Sequence, residues 1–517
     1  MDTKKLRQKL LDLAIHGKLV PQDPNDEPAS ELLSRIHAEK LAMVARGELK
    51  PKDVKNDTVI YFGSDGLPYE KRADGKDVAK CIEGEIPFEI PEGWNWARLQ
   101  SLSHVITDGD HQAPPQIASG IPFLVISNIA NGVICFDDTR FVPRTYFDEI
   151  KPQRVPQRGD LLLSVTGSYG IPAVVNTDRD FCFQRHIALI KPLLSANFLS
   201  RVVSSSYCSK WFDKKATGTA QKTVALSILR STLIPVPPLA EQRRIVDVLG
   251  KYLALVDGIE RDRAELDVLL AQLKSKVLDL AVRGELTERD QKDEPASELL
   301  ARIREDKLAM VARGELKPKD VKNDTVIFTG SDGLRYEKRA DGKGEAKCIE
   351  KEIPFEVPEG WSWSRMERLI QLTSGIDLAK ADYNSEHNGI PYITGASNFE
   401  NGSLIENRWT DKPKRISHRG DLLFTCKGTV GKMAINKFAS AHIARQVMAI
   451  NPYRGVDKLY LQQVLAWHVE TIRRKAKGFI PGIERGVLLK ALVPVPPLAE
   501  QRRIVRAIEA VISATSL

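Results

Sequence analysis

Two basic stretches of this chain each enclose a glycine. Lys210, Lys214, Lys215 and Lys222 surround Gly218; Arg473, Arg474, Lys475, Lys477 and Arg485 surround Gly478. Cationic side chains beside a residue without a Cβ can approach a phosphate backbone closely. Side chains of the kinds that read base edges accompany them, since Arg, Gln and Asn make bidentate contacts in a groove. In the first half these are His111 and Gln112 of "TDGDHQAPPQ", Asn128, Ser168, Tyr169, Gln184 and Arg185. In the second half they are Lys380 of "SGIDLAKADYN", Asn398, Lys427, Thr429, Arg445 and Gln446. His186 is read as a packing or hydrogen-bonding residue.

Catalytic patterns do not emerge. "KGTVGKM" (Lys427–Met433) is half a phosphate loop, without the first glycine at the required spacing and without the closing Ser or Thr. "PVPPL" lacks the leading acid or amide and the closing aromatic of the amino-methyltransferase motif. The nine histidines have no metal-ligand spacing, and no nucleophile elbow occurs. The two halves share no acidic pair at matched positions. The expectation is a non-catalytic chain with no metal site.

The elements that position these residues are spelled twice. Lys40–Ile60 and Lys307–Ile327 are identical, inside longer matches that begin at Asp26 and Asp293. "IPFEIPEGWNWARL" at Ile86 answers "IPFEVPEGWSWSRM" at Ile353, and "PVPPLAEQRRIV" stands at Pro235 and again at Pro494. Between these landmarks the copies diverge, roughly over Trp94–Leu233 and Trp361–Leu492. Only a skeleton survives there, such as "RGDLLLSVTGSYG" at Arg158 against "RGDLLFTCKGTVG" at Arg419. A constant frame with unlike inserts indicates one geometry presenting two binding surfaces.

Each insert reads as an α+β globule. Short β-like runs are expected at Phe123–Ile126, Asp160–Val165 and Ala188–Lys191, and at Tyr392–Thr394, Asp421–Thr425 and Val447–Asn451. Helices are expected late, near Ser200–Lys215 and Asp457–Lys475. The frame supplies amphipathic helices at Ser30–Arg46 and Ser297–Arg313, each with a Ser N-cap. The tracts 47–86 and 314–353 read as loops or a hairpin of unassigned role.

After Glu241 the pattern becomes a heptad. Ile245, Tyr252, Ile259, Leu266, Leu273 and Leu280 recur every seven residues; Leu249, Val256, Leu270 and Val277 fill the second row, interrupted at Arg263. Those thirty-six residues span ~54 Å and call for a partner helix along their length. The second copy stops after Ile504, Ile508 and Val511. Its missing remainder matches the N-terminus, where "KLRQKLLDLAIHGKL" answers "QLKSKVLDLAVRGEL". The reading is a two-unit cycle cut within one long helix, with neighbouring termini and the intact helix antiparallel to the split one.

Composition bounds the partners. The 517 residues carry a net charge of +8 and are 42% hydrophobic, a basic balance that favours a polyanion. No run of ~18 apolar residues suggests a membrane span, and the first residues lack a signal-peptide core. Six cysteines without a CxxC read as free thiols in a reducing, cytoplasmic setting.

Inserts entered by "PEGW.W", closed by "PVPPLAEQRRIV" and followed by a heptad helix resemble the specificity subunit of a type I restriction–modification enzyme. The resemblance covers essentially the whole chain. It implies two α/β-mixed target recognition domains on a long antiparallel coiled-coil spacer with pseudo-twofold internal repeat. The expected divisions are a frame and linker at 1–93, recognition domains at 94–237 and 361–496, a central spacer and linker at 238–360, and half of the split helix at 497–517. It further implies that each domain reads one half of an asymmetric bipartite DNA site. The helices would set the gap and dock two methyltransferase subunits, joined by endonuclease/translocase subunits. Those partners, not this chain, would use S-adenosylmethionine, ATP and Mg. The rival readings are a self-contained DNA nuclease or adenine methyltransferase, and a coiled-coil scaffold whose inserts bind peptides.

Overall fold

A computed structural model describes residues 2–110, 114–130, 132–218, 221–476 and 482–515. The chain divides into two compact units, 1–264 and 265–517. The division falls inside one 45-residue helix, Leu239–Arg283.

Unit 1 opens with the helix Thr3–Ile15, whose cap Asp2 accepts the Lys5 N–H at 3.1 Å. This helix buries Leu11, Ala14 and Ile15. It runs opposite to the first half of the long helix. Arg7 pairs with Asp257 and Glu260, while Gln22, past its C-terminal end, donates to Glu241 at 3.4 Å. In unit 2 the second half of the long helix (Val277, Leu278, Ala281, Val282) joins one core with Ile504, Val505 and Ile508 of the helix Leu498–Thr515.

The heptad seam is sealed only in part. Ile245, Leu249, Val256 and Val277 are buried, Leu270 and Leu280 are half-buried, and Tyr252, Ile259, Leu266 and Leu273 are exposed. This corrects the expectation of cover along its whole length. The reason is reach: the helices Thr3–Ile15 and Leu498–Thr515, of 13 and 18 residues, rise ~20 and ~27 Å, against ~68 Å for the 45-residue helix. Whether the termini adjoin concerns Met1 and Leu517, which lie outside the described residues.

The twice-written motif ties each unit together. Glu241 accepts the Trp94 indole N–H at 2.9 Å, Gln242 donates to the Pro237 carbonyl at 3.0 Å, and Arg244 pairs with Asp26 at 2.5 Å. In unit 2, Glu500 accepts from Trp361 at 2.9 Å, Gln501 donates to Pro496 at 3.0 Å, and Arg503 pairs with Asp293 at 2.5 Å. Thus "PEGW", "DEPAS" and "PLAEQRR" form one clasp, and Ile245 and Ile504 anchor it in the core. Burial raises the Glu241 and Glu500 carboxyls above the ordinary carboxylate value.

The helices Ala29–Ala45 and Ala296–Ala312 start without the expected serine caps. Pro28 and Pro295 hold the cap positions, and the free N–H groups of Ala29 and Ala296 donate to Gly93 and Gly360 at 2.9 Å. Those carbonyls meet donors that a cap would otherwise have to satisfy. The tracts after these helices form hairpins, Thr58–Phe62 with Pro68–Arg72 and Thr325–Thr329 with Arg335–Arg339, each edged by a third short strand. Lys40 and Lys307 lie buried against Asp57 and Asp324, at 2.7 and 2.6 Å.

Each insert hangs from a two-stranded stem. Asn95–Arg98 pairs antiparallel with Leu233–Val236, and Ser362–Arg365 with Leu492–Val495. Entry and exit therefore lie side by side, so the intervening chain can vary without moving the frame. Both inserts hold an antiparallel four-stranded sheet of matching order. In unit 1 it runs Ser103–Asp108, Ile187–Pro192, Leu161–Ser164, Pro172–Val174. In unit 2 it runs Ile370–Ser374, Val447–Pro452, Leu422–Thr425, Met433–Ile435. Ile121–Leu124 and Ile390–Ile393 each take a parallel partner in a second sheet. The late helix expected at Ser200–Lys215 is two helices, Ala196–Val203 and Ser206–Lys215, broken where Ser205 accepts the Cys208 N–H; in unit 2 it is one, Lys458–Ala476.

Candidate nucleic-acid interface

In unit 1 three sheet strands bring loops to one edge, because antiparallel pairing sets the ends of Ser103–Asp108 and Leu161–Ser164 beside the start of Ile187–Pro192. Those loops carry most of the residues singled out above, and hydrogen bonds stitch them together. Val165 N–H donates to His186 O at 2.9 Å and Gly167 N–H to Lys222 O at 3.0 Å. The Thr223 hydroxyl meets that of Thr166 at 3.3 Å. Tyr169 donates its phenol to Asp213 at 2.6 Å, joining the loop to the helix that ends in Lys214 and Lys215. Ser168, Arg185, Lys214, Lys215 and Lys222 are exposed, and Gln184 is half-buried.

Unit 2 repeats the arrangement with other side chains. Cys426 N–H donates to Gln446 O at 2.9 Å, and Ile483 N–H to Cys426 O at 2.8 Å. Arg445 pairs with Asp377 at 2.8 Å, fixing the turn 444–447 against the loop after Ile370–Ser374. Lys427, Thr429, Arg445 and Gln446 are exposed. Arg485 donates to Leu372 O at 2.6 Å and so lies along the sheet edge. Lys380, exposed, sits in the short turn Lys380–Asp382.

Asn128 and Asn398 differ from this pattern. Asn128 is buried, accepts from Val125 N–H at 2.9 Å and donates to Asp137 O at 3.3 Å. Asn398 is fully buried, accepts from Thr394 N–H and donates to Ile405 O, both at 2.9 Å. Their amides shape a turn and are not presented to a groove. His111, Gln112 and Lys477 lie outside the described residues; Arg474 and Lys475 belong to the last turn of Lys458–Ala476.

The electrostatics suit an anionic surface. The helix ending at Lys214 and Lys215 places its carbonyl end toward those ammonium groups, which complement it. Burial, with Arg185 adjoining, holds the His186 imidazole below its ordinary value and therefore neutral near pH 7. Asp213 raises the Tyr169 phenol and keeps it a donor. Among the described residues no three His, Cys, Asp or Glu side chains converge as a metal site, and no helix is long and apolar enough to cross a membrane.

Several supports were invisible as isolated residues. Asp213, Asp377 and the Thr166–Thr223 pair position the loops. Gly109 and Gly375 also matter: a Cβ at either would stand 2.1 Å from the carbonyl oxygen of Phe183 or Ala444. The recurrence of glycine in "TDGD" and "TSGI" was the available signal.

The family match over both inserts places the chain among the DNA specificity proteins of restriction–modification systems. Residues 91–267 and 358–517 match the type I restriction modification DNA specificity domain, and the chain belongs to that family. It is similar to the type I restriction enzyme EcoEI specificity subunit of Escherichia coli, 25% identical over 98% of this chain and 88% of that one. The EcoAI specificity subunit, also from E. coli, is 28% identical over 72% of this chain and 63% of that one. A solved chain from a structural study of type I restriction–modification complex assembly shares the fold, with a TM-score of 0.53 and 21% identity over 83% of this chain and 93% of that one. The chain is thus a DNA-recognition subunit of a type I system and not its catalytic component.

Proposed function

We propose that each insert reads one half of an asymmetric, bipartite duplex DNA site. The residues are Ser168, Gln184, Arg185, Lys214, Lys215 and Lys222 in unit 1 and Lys427, Thr429, Arg445, Gln446 and the basic tract 474–485 in unit 2. The observation that carries this reading is the same loop framework in both units, bearing unlike exposed side chains on a nearly identical frame. Two copies of one enzyme site would keep their chemistry; two readers of different sequences would keep only their scaffold.

In this reading phosphate contacts position each insert and base-edge contacts specify it. The helix Leu239–Arg283, with its counterparts Thr3–Ile15 and Leu498–Thr515, acts as an antiparallel coiled-coil spacer that sets the gap between half-sites. Two methyltransferase subunits dock on the helical frame, and endonuclease/translocase subunits join them. Those partners use S-adenosylmethionine, ATP and Mg, and the complex works in the cytoplasm. Mapping adenine methylation in cells carrying the whole system tests the reading: two dissimilar half-sites at one fixed gap support it, and a single undivided site contradicts it.

A further inference from the structure

Unit 1 contains a polar cleft. It lies where the frame tract around Lys52 meets the edge strand Ser103–Asp108, and has a volume of about 510 Å³. Lys52, Lys151, Arg154 and Arg230 line it, against one carboxylate, Asp53. Asp53 already accepts the Lys50 N–H at 3.0 Å, and Arg154 lies 3.7 Å from Asp108. The lining is therefore strongly cationic.

The strand itself is altered here. Pairing with Ile187–Pro192 runs Lys191 opposite Val105 and then Pro192 opposite Ser103, so His104 is one residue too many. The corresponding strand of unit 2 pairs without interruption, Gln371 opposite Asn451 and Ile370 opposite Pro452. A bulge re-aims side chains, and such bulges gather beside functional sites. Both bulge residues line the cleft, and Ser103 is only 4% exposed. Neither the Ser103 hydroxyl nor the His104 Nδ1 has a hydrogen-bond partner among the described residues. In unit 2 the position facing Pro452 is the apolar Ile370.

We propose that this cleft binds a phosphate group, with Arg154, Arg230 and the rim lysines supplying charge and Ser103 and His104 supplying short-range hydrogen bonds. Burial and the Lys191 ammonium hold the His104 imidazole below its ordinary value. The volume suits a phosphorylated ligand of nucleotide size. A backbone phosphate of DNA carries the same chemistry, and the test separates the two.

The full chain is titrated with inorganic phosphate, with ATP and with a duplex of arbitrary sequence, while the His104 imidazole resonance is followed by NMR. Saturable movement of that resonance by phosphate or ATP supports a free ligand. Movement by duplex alone supports a DNA phosphate. In either case Ser103→Ala should weaken the responding ligand about tenfold, the loss of one hydrogen bond to a charged group. Should Ser103→Ala disturb folding, the surface pair Lys52→Ala and Lys151→Ala gives the same readout and should also weaken binding. A resonance that none of the three ligands moves, or binding unchanged in both variants, overturns the proposal. Neither result bears on how the reading loops select bases.

Discussion

Tyr207 and His468 reach equivalent frame carbonyls by different chemistry. Tyr207 donates its phenol to Leu233 O, and His468 its Nε2–H to Leu492 O, both at 2.9 Å. Leu233 and Leu492 occupy matching stem positions, opposite Arg98 and Arg365. The late helix of each insert is thus pinned to its stem, by a group that titrates in mild acid only in unit 2.

That difference predicts a pH dependence for the helix-to-stem contact of unit 2 that the matching contact of unit 1 lacks. Burial pushes the His468 imidazole down to about 4, from an ordinary value of 6.5. Between those values the unfolded chain binds more protons than the folded one, so stability rises with pH. Its contribution is complete above about 6.5 and is lost as pH falls toward 4. Hydrogen exchange at pH 7 and pH 5 should show loosened protection in Lys458–Ala476 at the lower pH, and a smaller change in Ser206–Lys215. His468→Gln should reduce the pH difference; equal loosening of both helices would contradict the assignment.

The clasp should be a stability feature in both units. Trp361→Phe leaves Glu500, 2% exposed, without its indole donor. Removing a donor from a buried acceptor costs about 1–3 kcal/mol. The thermal midpoint should fall, and Trp94→Phe should act alike on unit 1. An unchanged midpoint in both would mean that water replaces the indole.

Charge and specificity should separate by residue. Replacing Lys214, Lys215 and Lys222 by glutamine should weaken duplex binding for all sequences. If all three touch phosphates, the slope of log K against log salt should shrink by about 3, near 0.9 for each contact. Equilibrium binding at several salt concentrations checks this. A changed sequence preference at constant slope would instead make these lysines base readers.

Arg185→Ala should relax one half of the recognised site, and Gln446→Ala the other. Each good base-edge pair is worth about 1–3 kcal/mol of discrimination. Binding selection with randomised duplexes reads the outcome. Relaxation of both halves by one substitution would contradict independent readers.

Much of this architecture was legible because the chain is a repeat. The runs "DLLLS" and "DLLFT" and the partners "HIALIKP" and "QVMAINP" are apolar enough to mark buried strands, and they form Leu161–Ser164, Leu422–Thr425, Ile187–Pro192 and Val447–Pro452. The cluster of loops followed from strand ends, although nothing local revealed Asp213 or Asp377 as their supports. Asn128 and Asn398 misled because an amide suits a turn as well as a base edge, and only burial separates the two roles. The serine caps failed because a proline and a distant carbonyl did that work. Heptad periodicity showed where a helix could bury side chains; it did not show how far its partner reaches. The bulge at His104 depends on pairing with residues almost ninety positions away, which periodicity does not encode.

The most direct test of the account is a ruler experiment. Deleting one heptad between Ile259 and Leu280 shortens the spacer helix by ~10 Å, about three base pairs of duplex. Single-molecule sequencing of adenine methylation should then find the same two half-site sequences separated by a shorter gap. Methylation at the original gap, or altered half-site letters, would contradict two independent readers held apart by a helical spacer.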